Sequence, residues 1–368
     1  MANSDRNGPQ AIEMGVDSGA VGPTRQRTSI KVVAALAGVA PSSVSRVFSR
    51  HPNVSPEMAA RVLAAASSIG YEPDIRAQSL RTGVTMTIGF LVSDISNPLL
   101  SEIALGAATT FRESGYTMLL INSGGEGDAD IAALRMLRQR RVDALMASVT
   151  SEQSEPLRAE LASTDIPVVM IDREPMATGN VSAVLSDHAA GIGAAATLLL
   201  DLGHRRIALV NGSMKVRPAR ERARALRDAC RSVADSTVTI RSGSFTVEHG
   251  ERASAELLAA DPRPTAIIAG SNQILIGVMR SIRAMGLRIP DDLSLVTCDA
   301  VGMSEFLTPP LATVRRDPVA MGSAAAELLL RQLQGGPPGR TTLAARFEPA
   351  VSCGPVPGHV RPARERAR

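Results

Sequence analysis

From Thr85 to Cys298 the chain alternates short, continuously apolar runs with longer stretches of helical periodicity. MTIGFLV precedes a helical pattern over 98–114, YTMLLIN one over 128–140 and DALMASV one over 153–163, and PVVMID closes this first series. The run SAVLS opens a second series, in which helical patterns over 188–202, 219–232, 247–260 and 273–285 alternate with RIALVNG, VTI, TAIIAG and LSLVTC. Apolar strands separated by helices of this length predict parallel sheets covered on both faces, hence two doubly wound α/β lobes. In such sheets ligands sit beyond the carboxyl ends of the strands. The residues found there are Ser93, Asp94, Asn122, Thr150, Asp172, Arg173, Asn211, Ser271, Asn272 and Asp299, all polar. LAARFEPAV, near the end, is one further candidate strand.

Upstream of Thr85 the periodicity is helical only. In SIKVVAALAGVAPSSVSRVFS, Ile30, Val33, Ala34 and Ala37 share a face and Gly38 permits a tight turn; Pro41 suits the first position of a second helix carrying Val44, Val47 and Phe48 inward. This is a helix-turn-helix pattern. Its second helix turns Ser42, Ser43, Ser45 and Arg46 outward, short hydrogen-bonding groups and a guanidinium of the kind that read a major groove. Ser55-Pro56-Glu57 starts a third helix, which ends at Gly70. An N-terminal all-α domain is thus expected over 27–73. Residues 74–84 form a short polar linker with a helix-compatible pattern; an isolated helix needs ~12–15 residues, so this one is expected to order only on a partner. Residues 1–26 show no periodicity and read as a disordered extension or as a start site assigned too early. Residues 351–368 read as a disordered basic tail. Its RPARERAR also occurs at 217–224, either by coincidence in an Ala- and Arg-rich chain or as added phosphate affinity.

A length of 368 residues calls for two or three domains. The formal charge of +4 is modest, but Arg27 to Gly83 holds seven Lys/Arg against three acids, a local excess suited to tracking phosphates. Cys230, Cys298 and Cys353 lack CxxC spacing, so neither a disulfide framework nor a zinc site is indicated, and a reducing cytoplasm fits best. No apolar run approaches the ~18 residues of a membrane span, and the first residues lack a signal-peptide pattern. An exported ligand carrier is thereby disfavoured. GxSxG, HExxH and GxxxxGK[ST] are absent, and His51, His188, His204, His249 and His359 show no metal-ligand spacing, so no enzyme, metal or cofactor is expected.

The segments AGVAPSSVSRVFS and NVSPEMAARVLAAASSIGYEPDIRAQSLRTG, followed in order by DISNPLL, RRVDAL, IPVVMIDR, LGHRRIALVNG and PPLATVRRD, resemble the lactose/galactose repressor family of bacterial transcription regulators over about Thr28 to Pro349. The resemblance implies a helix-turn-helix domain with a hinge helix, then a periplasmic-binding-protein-like region of two parallel-sheet lobes. It implies a homodimer that represses transcription by binding pseudo-palindromic operator DNA under the control of a small polar effector, a sugar or sugar derivative, held between the lobes. Carried over by position, Pro41, Ser42, Ser43 and Arg46 lie along the base-reading helix, Ser29, Ser45 and Asn53 fall at phosphate contacts, and Ala77 and Leu80 lie in the hinge, with Leu80 as a minor-groove wedge. The implied effector residues are Ser93, Asp172, Arg222, Phe245, Ser271 and Asp299. Asn272, Cys298, Ala300 and Ala225 depart from the family's usual Asp, aromatic, Asp and Gly, which leaves the effector's identity open. His204 matches a structural position at a helix end.

Overall fold

The structure, a computed structural model, describes residues 29–48, 53–72, 83–175, 179–299 and 306–356. It divides into two compact units, residues 1–83 and 84–368. The first consists, among the described residues, of helices α1 (Ile30–Ala37), α2 (Pro41–Phe48) and α3 (Pro56–Ser68). Gly38 ends α1 with φ of 63°, and the next N–H, that of Val39, turns back to the Ala34 carbonyl at 3.0 Å. That left-handed residue is what lets α2 depart at 101° from α1. Ser55 caps α3 by accepting from Met58 N–H at 3.2 Å, with Pro56 at the first helical position. The core is small: Val33, Ala34, Ala37, Val44, Val47, Val62, Ala65 and Ala66 are its buried side chains.

The second unit holds two six-stranded sheets. The first runs in the order β11-β5-β4-β3-β1-β2 and the second β12-β10-β9-β8-β6-β7. Strands β1 (Thr87–Val92), β2 (Thr117–Asn122), β3 (Ala144–Ser148), β4 (Val168–Ile171) and β5 (Val181–Asp187) alternate with helices α4 (Pro98–Glu113), α5 (Gly127–Gln139) and α6 (Glu155–Ala162), all in the first lobe. Helix α7 (His188–Asp201) carries the chain into the second lobe. There β6 (Arg206–Asn211), β7 (Thr237–Ser242), β8 (Ala266–Ala269), β9 (Ser294–Cys298) and β10 (Ala312–Arg315) alternate with α8 (Arg217–Arg231), α9 (Val247–Ala259) and α10 (Asn272–Ala284). Helix α11 (Pro318–Leu333) returns to the first lobe, where a Cβ on Gly322 would collide with the Ile103 carbonyl of α4. Strand β11 (Arg340–Ala344) completes the first sheet, and β12 (Arg346–Glu348) the second.

Three expectations change here. SAVLS does not open the second series: β5 pairs in parallel with β4, Val168 opposite Val181, and belongs to the first sheet. LAARFEPAV is not one strand, because the backbone passes between lobes at buried Ala345, leaving β11 parallel to β5 and β12 antiparallel to β10. The tail is not disordered from 351: the Ser352 hydroxyl donates to the Leu295 carbonyl at 2.6 Å and accepts from Ala312 N–H at 2.8 Å, and Val356 N–H reaches the Leu202 carbonyl at 3.1 Å. These bonds satisfy backbone groups of β9, of β10 and of the end of α7. The chain thus passes between lobes three times, which gives the pair a hinge of three strands of backbone.

Candidate functional site

In the first unit, α2 buries Val44 and Val47 and presents the opposite side to solvent. Pro41, Ser42 and Arg46 are exposed, Ser43 and Ser45 half-buried at the margins, and Asn53 exposed in the turn before α3. Ser29 precedes α1, and its carbonyl, not its hydroxyl, takes the Val32 and Val33 N–H groups at 2.9 and 3.2 Å. The hydroxyl makes no cap hydrogen bond to the helix. Ala77 and Leu80 lie outside the described residues.

In the second unit the strand ends of both lobes face one another across a cleft. The helix termini there are tied across it: Asn272 Nδ2 donates to Asn97 Oδ1 at 2.9 Å, Glu152 N–H to the Lys215 carbonyl at 2.9 Å, and Arg220 pairs with Glu152. A cavity of 910 Å³ opens on one side, with Ser93, Thr150, Arg173, Lys215 and Phe245 in its wall. A second, of 390 Å³, is walled by Asn272, Asp299 and Arg316 among others.

The core of the cleft is ionic. Asp172 and Asp299 follow β4 and β9, equivalent strands of the two sheets, and both hold left-handed backbone, φ 51° and 58°. Such conformations cost about 1–3 kcal/mol each and persist where surrounding bonds over-determine them. Those bonds come from Arg316. Its Nε and Nη2 hold Asp299 Oδ1 and Oδ2 at 2.7 and 2.5 Å, while its Nη1 reaches Asp172 Oδ2 at 2.6 Å and the Ser186 hydroxyl at 3.2 Å. One guanidinium therefore ties the two lobes together, bidentate on one carboxylate and single on the other. Asp172 also accepts from Ser186 N–H at 3.0 Å and from His188 Nε2 at 2.8 Å, with Arg217 Nη1 at 3.5 Å. Burial opposes ionisation of Asp172, but His188, Arg316 and the Ser186 N–H outweigh it and hold its carboxyl well below the ordinary carboxylate range. Asp299 is lowered in the same way, with Arg316 and then Arg222 overcoming burial.

His188 shows the opposite balance. Burial is the largest influence on it and, with Arg222 and Arg316 nearby, outweighs the attraction of Asp172, so its pKa falls from 6.5 to about 4. Neutral His188 then donates its Nε2 proton to the carboxylate. Because an unfolded chain takes up a proton near pH 6.5 that folded His188 refuses until about pH 4, the folded state is fully favoured above that window. It is expected to lose on the order of 3 kcal/mol as pH falls through it. Urea unfolding at pH 7 and pH 4.5 measures this loss. A His188→Gln variant with the same slope of stability against pH as the parent would show that another group is responsible.

The structure thus gathers Asp172, Arg222 and Asp299 into one cluster and puts Ser93 and Phe245 in the wall of the larger cavity. The ring of Phe245 lies on Gly212, where no Cβ fits, and is half-buried against the core of the second lobe. Ser271 stands apart in role: its oxygen caps α10 by accepting from Ile274 N–H at 3.2 Å. Arg222 is 2 % exposed, so it is no solvated helix face, whereas Arg224 beside it is exposed and pairs with Glu221. His204 is buried, with Nδ1 against the Thr265 hydroxyl and Nε2 against the Ser294 hydroxyl and the Gly354 carbonyl, a structural brace. Arg316, His188, Ser186 and Arg217 were not singled out from sequence. The strand-end rule would have found three of them, since Ser186 closes β5, His188 follows it, and Arg316 follows β10.

Residues 29–74 match the family described as bacterial regulatory proteins, lacI family, and residues 196–349 match the periplasmic binding protein-like domain. Among curated proteins, the chain is 31% identical over 312 residues to the HTH-type transcriptional repressor PurR of Vibrio cholerae serotype O1 (strain M66-2), covering 83% of this chain and 91% of that one. Among solved structures it is similar to the lac repressor dimer bound to operator and the anti-inducer ONPF, with TM-score 0.77, 25% identity and coverage of 89% and 99%. It is also similar to the transcriptional regulator CelR in complex with cellobiose, with TM-score 0.67, 28% identity and coverage of 89% and 100%.

Proposed function

Because this chain belongs to the lacI family of bacterial regulatory proteins, we propose that it is a sequence-specific repressor whose hold on operator DNA is set by a small polar effector bound between the lobes of its second unit. The observation that carries this is the joining, in one chain, of a helix-turn-helix with an outward polar face and a two-lobed unit whose strand ends meet at a buried ionic cluster. The first reads and the second senses. In the reader, Pro41 and Ser42 open the recognition helix and offer an apolar contact and a hydroxyl to base edges. Ser43 and Arg46 extend this contact, and Ser29, Ser45 and Asn53 hold phosphates. In the sensor, Ser93, Asp172, Arg222, Phe245, Ser271 and Asp299 face the effector, with Phe245 offering it an aromatic surface. The protein acts in the cytoplasm as a homodimer, each protomer reading one half-site, and catalyses no reaction.

Effector binding acts by changing how firmly the lobes close. Any ligand that enters the cleft competes or cooperates with the Arg316 clamp, and can shift the closed state only by its differential affinity for it. The test is selection from a randomised DNA pool by the purified protein, with and without a panel of sugars, sugar acids and sugar phosphates. Enrichment of a palindrome whose half-sites lie about one helical turn apart is expected, together with a change in that enrichment on adding an effector. A pool left unenriched at low salt would sink the reader, and enrichment insensitive to every compound would sink the sensor.

A further inference from the structure

Four carboxylates around the cleft are paired with a cation other than Arg222, while a fifth, Asp94, accepts from the Ser96 N–H and hydroxyl. Glu152 pairs with Arg220, Glu174 with Arg217 at 3.1 Å and Arg340 at 3.2 Å, and Asp172 and Asp299 with Arg316. Arg222 comes no closer than 3.6 Å to Asp299, and its Nε and Nη1, both buried, have no hydrogen-bond acceptor among the described residues. Cys298 lies beside it as a neutral thiol, since burial pushes its pKa up to about 11, and supplies no counter-charge. Arg222 is therefore a buried cation with two unused donors, and its neighbouring carboxylate is already held at both oxygens by Arg316. A guanidinium buried with unused donors is costly, and the cost is relieved by an acceptor that arrives from outside.

The surroundings favour a negative acceptor. Arg222 stands on α8 with its guanidinium beside Asp299, which walls the 390 Å³ cavity, and just ahead of the same helix Lys215 and Val216 enter the wall of the 910 Å³ cavity. The charged groups of that wall are Asp94, Arg173 and Lys215. Helices α5 and α8 both open on it, at Gly127 and Val216, and neither has a side-chain cap on its first N–H groups. A neutral polyol that used the two aspartates as acceptors for its hydroxyls would have to displace Arg316 and leave that guanidinium unpaired as well. An anion leaves the clamp in place and answers Arg222.

We propose that the effector of this cleft is anionic, a sugar acid or sugar phosphate whose negative group pairs with Arg222, and that Arg316 sets this preference by saturating Asp172 and Asp299. The proposal rests on the cleft being the effector site. Carboxylate and phosphate share the chemistry; matched series separate them. Full-length protein is titrated calorimetrically with ribose, ribonate and ribose 5-phosphate, and with glucose, glucuronate and glucose 6-phosphate, and operator occupancy is measured with each. At least one anionic member is expected to bind about tenfold or more tightly than its neutral parent, as befits charge-assisted over neutral hydrogen bonds. That advantage is expected to vanish in Arg222→Gln and to shrink in Arg316→Gln as the aspartates become free for hydroxyls. The wild-type comparison needs no variant, so it decides even if a substitution prevents folding. A neutral parent binding as tightly as its anions, an advantage that survives Arg222→Gln, or no binding by any anion would each overturn the proposal. A neutral sugar that binds as tightly as its anions and alters operator occupancy overturns the anionic class alone. Anions that bind through Arg222 and leave operator occupancy unchanged overturn the effector-site reading and the proposal with it.

Discussion

Replacing Val44 with aspartate is expected to abolish operator binding while leaving the melting of the second unit and its ligand binding unchanged. Val44 is 0 % exposed and sits among Val33, Ala34, Ala37, Val47 and Val62, a core built only of valine and alanine side chains in its buried part. Domains of this size rarely carry more than about 3–5 kcal/mol of stability. An unpaired carboxylate buried in an apolar setting costs several kcal/mol or forces the site open to water, which is comparable to all the first unit has. Unfolding it removes the angle at which α2 presents Ser42 and Arg46. Fluorescence anisotropy with a selected operator measures the loss, and calorimetry of the same variant should retain the transition of residues 84–368. Operator affinity within about twofold of the parent would mean that the three-helix core does not position the reader.

Asp172→Ala carries the largest expected loss of stability in the second unit. It removes the acceptor for Arg316 at 2.6 Å, His188 at 2.8 Å and the Ser186 N–H at 3.0 Å. Breaking a buried ion pair from one side costs about 3–5 kcal/mol, because the partner charge remains. For a unit this large that corresponds to a fall in melting temperature of roughly 10 °C. Arg316→Gln alone also destabilises, by freeing two carboxylates. The double variant Asp172→Ala/Arg316→Gln is expected to melt above the value obtained by adding the two single losses, since the stranded guanidinium is gone. Strict additivity would show that Arg316 does not bind Asp172 in solution, and the interlobe clamp would fall with it.

The elements were legible because their signals are local. Ser55-Pro56-Glu57 marks a helix start by capping chemistry alone, and Gly38 marks a turn by the left-handed backbone that it adopts at 63°. The strand-end residues were equally legible, since any run such as PVVMID that is buried on both faces must emerge polar at its end. Two strands were misread for the same locality: SAVLS and LAARFEPAV have the right texture, but texture carries no record of which sheet a strand joins. Helix α11 escaped notice although Asp317 and Pro318 form a cap and first residue as clear as those of α3.

By itself the sequence determined the helix-turn-helix, the two α/β lobes, the family, and the set of polar residues from which any cleft had to be drawn. Those follow from periodicity, capping and turn chemistry within a few residues of one another. Only the tertiary structure decided that β5 completes the first sheet, that the last strand divides at Ala345, and that Arg316 meets Asp172 across 144 positions of chain. Pairing of that kind is set by the path of the backbone between lobes. It leaves no local pattern, because an arginine that clamps two buried aspartates and one that faces water are preceded by the same alternation of residues. Whether Arg222 was solvated or buried was settled in the same way, by what packs around α8 and not by the arginines that flank it.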